Sequence, residues 1–94
     1  MFDRVRRRIR EAVRVRRYVM TLHAEEEMAD EGLGVLDIEN VLLTGRVVER
    51  QRDRTTRESK YLVLGEPLAG DRDVVVAVKF GPTGRLVILT VYVE

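Results

Sequence analysis

The segment from residue 21 to residue 45, TLHAEEEMADEGLGVLDIENVLLTG, constrains the fold most, because it specifies two short helices joined by a hinge. Thr21 is suited to be an N-cap, since its hydroxyl can accept a hydrogen bond from a free N–H of the first turn. Gly32 fits the left-handed position that follows a helix, and Leu33 and Met28 are then spaced for the hydrophobic contact of a Schellman motif. The first helix of the pair is therefore predicted to end just before Gly32.

The second helix of the pair is predicted to begin near Gly34, with Asp37 as the acidic half of a capping box. Its apolar stripe has helical spacing and is formed by Ile38, Val41 and Leu42. Gly45 is expected to end this helix in the same way as Gly32 ends the first.

A basic amphipathic helix is predicted for residues 1–17, ahead of this pair. Helical spacing relates Phe2, Val5, Ile9, Ala12, Val13 and Arg16, so the apolar members of this set form a stripe along one side that Arg16 continues. Residues 1–20 contain eight arginines and two acidic residues, a net charge of +6, whereas the rest of the chain carries −5, for a total of +1. Two interpretations stay open: an ordinary solvated helix face, or a site for nucleic acid or an acidic partner.

Strand patterns dominate the second half of the chain. The four predicted strands cover residues 46–51, 60–65, 73–80 and 85–93. Their short connections require an antiparallel meander, because parallel strands need long crossovers. We therefore predict one α+β domain over residues 1–94, with the basic helix at 1–17, the helix pair at 21–45 and a four-stranded antiparallel sheet at 46–93. The helices are expected on one face of this sheet. The segment Tyr18–Met20 is either an extended link or an edge strand.

Alternation along the last two strands assigns their faces. Pairing of Phe80 with Arg85 would group Val74, Val76, Val78, Phe80, Val87, Leu89 and Val91 on the helix-covered side. The opposite face would then be mixed and would include Lys79, Leu86, Ile88, Thr90 and Tyr92. A face with such polar members is the predicted binding surface.

Several motifs resemble one small prokaryotic family, the domain of unknown function 4258. The motifs, in order, are H-A-x-x-x-M-x-x-x-G from His23, D-I-x-x-V-L-x-x-G-x-V-V-E from Asp37, and the strands YLVLG, VVVAV and VILTVY. The resemblance covers about residues 19–93. That family is grouped with the barnase–EndoU–colicin–RelE fold, whose best-known members are metal-independent ribonuclease toxins. The resemblance therefore implies a RelE-like fold and a metal-independent endoribonuclease, the toxin of a toxin–antitoxin pair.

His23 is the leading catalytic candidate, because histidine is the side chain that titrates near neutral pH without help. It would act as acid or base, and the competing interpretation is a capping or packing residue. Thr90 and Tyr92 on the last strand are candidates for positioning the substrate. His23 belongs to the helical layer, so it meets these two residues only if the helix wraps the sheet edge or a bulge changes the strand.

Charged residues complete the candidate site. Lys79 and Lys60, the two lysines, could each hold a phosphate. Glu49 is a carboxylate that could orient a histidine or a ribose hydroxyl, and Arg50 and Arg57 are candidate nucleic-acid-binding residues. Each has a simpler interpretation as a half-exposed sheet residue, a surface ion pair or a solvated loop residue.

The amino-acid composition narrows the possible cofactors, cellular location and binding partners. With no cysteine and one histidine, we expect no metal site and no cofactor. No apolar run approaches the roughly 20 residues of a membrane helix, and the basic N-terminus lacks a signal-type apolar segment, so we expect a cytoplasmic protein that does not bind membranes. The expected partners are RNA, a cognate antitoxin or other small protein, and a second copy in a homodimer. The alternative function is a non-catalytic interaction module that binds a protein or nucleic acid through its arginine-rich helix or a sheet edge.

Overall fold

The computed structural model describes residues 1–94 as three helices and five strands. In chain order they are α1 (Asp3–Arg14), β1 (Tyr18–Met20), α2 (Leu22–Asp30), α3 (Val35–Thr44), β2 (Arg46–Arg52), β3 (Ser59–Gly65), β4 (Val74–Phe80) and β5 (Leu86–Val93). The strands form one sheet in the order β1-β5-β4-β3-β2. None of the helices has the length and apolar character that crossing a membrane requires.

The predicted α+β class is confirmed, but the predicted four-stranded antiparallel sheet is wrong. Strands β2 to β5 do form an antiparallel meander. The segment Tyr18–Met20 adds a fifth strand, which pairs in parallel with Leu86–Ile88 of β5 and makes the sheet mixed. The parallel pairing is feasible because the whole helix pair and the meander lie between these two strands and provide the long crossover.

Helix α1 is shorter than predicted and ends at Arg14. Arg16, which was expected to continue the apolar stripe, is exposed and has a φ of 58°, so it lies outside the helix. The rest of the stripe behaves as expected, since Ile9, Ala12 and Val13 are buried. They belong to the same hydrophobic cluster as the buried side chains of α3 and β4.

The predicted ends of α2 are confirmed. The Thr21 hydroxyl accepts from the Ala24 N–H at 3.1 Å. Gly32 has a φ of 69°, and the Leu33 N–H donates to the Met28 carbonyl at 2.9 Å, which is the long hydrogen bond of a Schellman motif.

Helix α3 begins as predicted but ends differently. The Gly34 N–H donates to the Asp37 carboxylate at 2.8 Å. The stripe Ile38, Val41 and Leu42 is almost completely buried. Gly45, however, has a φ of −77°, so the expectation of a left-handed end is wrong. Glycine is needed here for close approach instead, because a Cβ would lie 2.5 Å from the main-chain oxygens of Val41 and Leu64.

The β4–β5 hairpin is shifted by one residue from the predicted register, because Phe80 pairs with Leu86 rather than with Arg85. Leu86 and Ile88 are consequently buried in the core, and Val87 lies on the opposite side, which reverses their predicted faces. A β-bulge at Leu89 then corrects the alternation, since Ile88 pairs with Val78 whereas Thr90 pairs with Ala77. Val91 is therefore in the core as predicted, and Thr90 and Tyr92 are on the other side.

The helices pack on one face of the sheet. Their buried side chains, together with Leu33 of the α2–α3 turn and the buried side chains of β3, β4 and β5, form a single cluster of 15 residues. We call the other side of the sheet the open face. Its side chains lie in three rows across the strands, Leu64–Val75–Tyr92, Leu62–Ala77–Thr90 and Lys60–Lys79–Val87. Val75 and Ala77 are buried here without belonging to the core cluster, because their row neighbours flank them on both sides.

Candidate functional site

Helix α2 lies along the edge of β5 that β1 leaves unpaired. β1 reaches only as far as Ile88, and the chain turns there into α2. The Thr21 hydroxyl donates to the Leu89 carbonyl at 3.2 Å. The Glu27 carboxylate accepts from the Val91 N–H at 3.0 Å. Side chains of α2 therefore satisfy main-chain groups that would otherwise need a neighbouring strand.

His23 is held beside this edge by the same carboxylate. Its Nε2 lies 3.3 Å from Oε1 of Glu27, one helical turn further along α2, and its side chain is 68% exposed. With Nε2 directed at Glu27, Nδ1 is the ring nitrogen left for a second partner. The arrangement orients the imidazole while keeping it open to solvent.

Glu27 is the residue of this candidate site that the sequence alone did not single out. The i, i+4 spacing from His23 was a usable signal, since such residues are neighbours on a helix surface. Two further glutamates, Glu25 and Glu26, obscured it. The contacts with His23 and Val91 distinguish Glu27 from them, and the contact with Val91 joins residues 64 positions apart.

Thr90 and Tyr92 flank the peptide group that Glu27 binds. Both side chains lie on the open face, where Thr90 pairs with Ala77 and Tyr92 pairs with Val75. Tyr92 is 39% exposed. His23 was expected to meet these two residues only if its helix follows the sheet edge or a bulge shifts the strand, and the structure contains both features. Through Glu27, His23 is therefore attached to β5 between the two predicted positioning residues.

Lys79 and Lys60 lie further across the open face and line the same groove of about 340 Å³. The groove is bounded by the β2–β3 hairpin and contains Arg52, Glu58 and Leu89 among its lining residues. Lys79 lies two positions beyond Ala77 on β4 and faces the same open side. Because Ala77 pairs with Thr90, Lys79 is a diagonal neighbour of Thr90. Its Nζ lies 3.2 Å from the Glu58 carboxylate, and both side chains are partly exposed.

The hairpin that borders this groove is an ordered turn. The Asp53 carboxylate accepts from the N–H groups of Thr55 and Thr56 at 2.8 and 2.9 Å. These backbone hydrogen bonds lower the pKa of Asp53 below its usual value. Arg57 has a φ of 63°, and its N–H donates to the Asp53 carbonyl at 2.9 Å. Arg57 is exposed at the end of the hairpin, away from the sheet edge that holds His23.

Glu49 and Arg50 lie on β2, at the opposite edge of the sheet from β1 and β5. Glu49 accepts a hydrogen bond from the Gln51 side chain at 2.6 Å. Arg50 pairs with Tyr61, whose side chain packs against the core, so Arg50 belongs to the helix-covered side. The structure does not bring either residue to His23, and the carboxylate that orients the histidine is Glu27.

Acidic and histidine side chains nowhere form a group of three or more that could hold a metal ion. The site consists of an oriented histidine at one sheet edge, a hydroxyl pair on the adjacent strand and two lysines on the next strands. This geometry can bring a proton-transfer group and cations to one extended, open surface.

The chain thus belongs to a class of α+β proteins whose helices cover one face of a sheet and leave the other open. The family model described as Domain of unknown function (DUF4258) matches residues 20–93. The chain is a member of this family, which confirms the resemblance of its motifs. No curated protein and no solved structure gives a significant match.

Proposed function

We propose that this protein is a metal-independent endoribonuclease with a RelE-like fold and that its active site lies on the open face at the β5 edge. The observation that supports this most directly is the chain of contacts from His23 through Glu27 to the Val91 N–H. It places the single histidine at the strand that presents Thr90 and Tyr92. The family resemblance supplies the reaction class.

In the proposed reaction, the free nitrogen of His23 removes the proton from a ribose 2′-hydroxyl. The 2′-oxygen attacks the adjacent phosphorus, and the bond from phosphorus to the 5′-oxygen breaks. The 5′-oxygen takes a proton from water and leaves as a hydroxyl, and the imidazolium of His23 returns its own proton to the solvent. The products are a 2′,3′-cyclic phosphate and a free 5′-hydroxyl. Glu27 keeps the imidazole oriented and so acts as a positioning residue.

Cations on the open face would stabilise the charge that develops on the phosphorus-bound oxygens. Lys79 is the first candidate, because it is the lysine on the strand next to Thr90. Its ion pair with Glu58 is solvent-exposed and costs little to exchange for a phosphate. Lys60 extends the same row to β3, and the hydroxyls of Thr90 and Tyr92 would position the ribose.

Labelled mixed-sequence RNA incubated with purified protein in EDTA tests this proposal. Wild type should generate 2′,3′-cyclic phosphate ends, and His23→Ala should lower the rate by about 10²–10⁴-fold. Leu22→Ala is a matched control, since it truncates an adjacent exposed side chain of the same helix and should leave the rate unchanged. Lys79→Ala should also slow cleavage.

Equal cleavage by wild type and His23→Ala would refute the assignment of His23. Absence of cleavage by folded wild type would refute the enzyme and favour the non-catalytic interaction module. If the protein is the toxin of a toxin–antitoxin pair, its expression in a bacterial host should arrest growth, His23→Ala should not, and a co-expressed cognate antitoxin should restore growth.

A further inference from the structure

The arginines of α1 form a positively charged surface that the proposed active site does not use. We call it the arginine surface, and it consists of Arg4, Arg7, Arg8, Arg10 and Arg14. The three ion pairs of the chain all lie elsewhere, so none of these guanidinium groups is neutralised by an acidic side chain within 4.0 Å. Even Asp3 and Glu11, on the same helix, form no ion pair.

Contacts with the protein hold the side chains of Arg7 and Arg8 in place without neutralising them, and Arg7 Nε donates to the Asp3 carbonyl at 3.5 Å. The Arg8 guanidinium stacks 3.9 Å above the ring of Phe80. Arg7 and Arg10 line a groove of about 310 Å³ together with Asp3 and Arg6. The Nε of Arg10 is buried without a hydrogen-bond acceptor. An anion on the remaining N–H groups would compensate this guanidinium for its lost hydration.

The arginine surface faces away from the open face. α1 buries Ile9, Ala12 and Val13 in the core cluster beneath the helix-covered side of the sheet. Its arginines therefore point outwards from that side. The molecule measures 34 × 25 × 24 Å, so a ligand bound to the open face must extend around the whole domain before it reaches α1.

We propose that the arginine surface is a second RNA-binding surface, one that contacts the phosphate backbone of a double-stranded RNA stem. Guanidinium groups bind phosphates in a two-pronged geometry, and the backbone supplies one phosphate after another. Arg4 and Arg14 are about 15 Å apart along the helix axis, and the arginines spread over about 160° of its circumference. Such a spread suits a stem, in which phosphates lie on both walls of a groove.

An acidic protein partner fits this surface less well. Protein interfaces depend on buried aromatic or aliphatic anchors surrounded by a polar rim. The exposed side of α1 offers charged side chains almost alone, since its apolar residues are committed to the core cluster or packed against it. RNA binding through this surface requires no catalysis, so this proposal does not depend on the proposed ribonuclease activity.

Fluorescence anisotropy with a labelled RNA hairpin of about 20 base pairs tests the proposal, with every protein carrying His23→Ala so that binding is measured without cleavage. The test variant is Arg4→Gln/Arg7→Gln/Arg14→Gln. The matched control, Arg46→Gln/Arg54→Gln/Arg85→Gln, removes the same charge from exposed positions outside α1, and none of these three arginines forms an ion pair. Glutamine resembles arginine in helix propensity, so α1 should persist in the test variant.

Three phosphate contacts change the slope of log affinity against log salt by about 2.7. Between 50 and 200 mM salt, the parent should therefore lose about 40-fold more affinity than the test variant. The control variant should keep the parental slope. Equal losses in both variants would show that only net charge matters and would overturn the proposal. Absence of hairpin binding by the parent, with binding of polyglutamate instead, would overturn it in favour of an acidic protein partner.

Discussion

Glu27→Ala should destabilise this protein far more than the loss of a partly exposed glutamate normally does. The substitution leaves the Val91 N–H without its acceptor. A hydrogen bond to a charged group contributes about 1.5–3 kcal/mol, and because the Glu27 side chain is 27% exposed we expect the lower end, about 1.5 kcal/mol. For a domain of this size, that corresponds to a fall in Tm of about 6–12 °C.

Thermal unfolding followed by circular dichroism measures this effect, and two variants act as controls. Glu26→Ala makes the same change at the exposed neighbouring position, where the carboxylate forms no hydrogen bond, and should shift Tm by less than about 2 °C. His23→Ala removes only an exposed helix-surface pair, which contributes about 0.2–0.5 kcal/mol. If Glu27→Ala and Glu26→Ala melted within about 2 °C of each other, Glu27 would not hold α2 to β5.

Glu27→Gln separates the structural role of this residue from its proposed catalytic role. The amide oxygen can still accept from Val91, so most of the stability should return. The amide cannot supply the negative charge beside His23, so the cleavage rate should stay low. A fully active Glu27→Gln protein would contradict the positioning role proposed for the carboxylate.

Three further predictions concern the fold. Gly45→Ala should lower the free energy of unfolding by about 2–4 kcal/mol, because its Cβ would lie 2.5 Å from two main-chain oxygens. The control Gly34→Ala, whose Cβ would meet nothing nearer than 3.8 Å, should lower it by less than about 1 kcal/mol. Equal midpoints of urea unfolding for the two variants would refute this prediction. Burial and the hydrogen bond to Glu39 raise the pKa of Tyr18 from 10.0 to about 12. The folded state thus favours the neutral phenol, so this contribution to stability is complete below pH 10 and is lost as the pH rises towards 12. Tyr18→Phe should abolish that part of the alkaline loss in pH-dependent melts, and an unchanged profile would count against it. Thr21→Ala should lower the free energy of unfolding by about 1–2 kcal/mol, because the hydroxyl both caps α2 and donates to the Leu89 carbonyl of β5. Thr21→Ser should restore most of this stability. A Thr21→Ala variant as stable as wild type would be inconsistent with both hydrogen bonds.

Local features of this protein could be predicted from the sequence because their causes lie within a few residues. The Thr21 cap, the left-handed Gly32 and the Asp37 half of the capping box were all predicted correctly. Each depends on a hydrogen bond or a steric limit inside one turn of chain. The family assignment belongs here too, since it rests on the order and spacing of short motifs.

The parts that sequence reasoning missed depend on contacts between distant segments. The hairpin pairs Phe80 with Leu86, and the bulge at Leu89 returns Thr90 and Tyr92 to the predicted face. Alternation alone cannot place such a shift, because moving the register by one residue exchanges every face without altering the pattern.

The sequence by itself determined both ends of α2, the start of α3, the strand-rich second half and the identity of the single histidine. Only the tertiary structure decided that β1 joins the sheet in parallel, that Gly45 is required for close packing, and that Glu27 rather than Glu49 accompanies His23. The physical reason is the sequence separation of the residues that interact, because caps and turns depend on residues only a few positions apart. The partner of a sheet edge is chosen among all segments that the folded core brings to it.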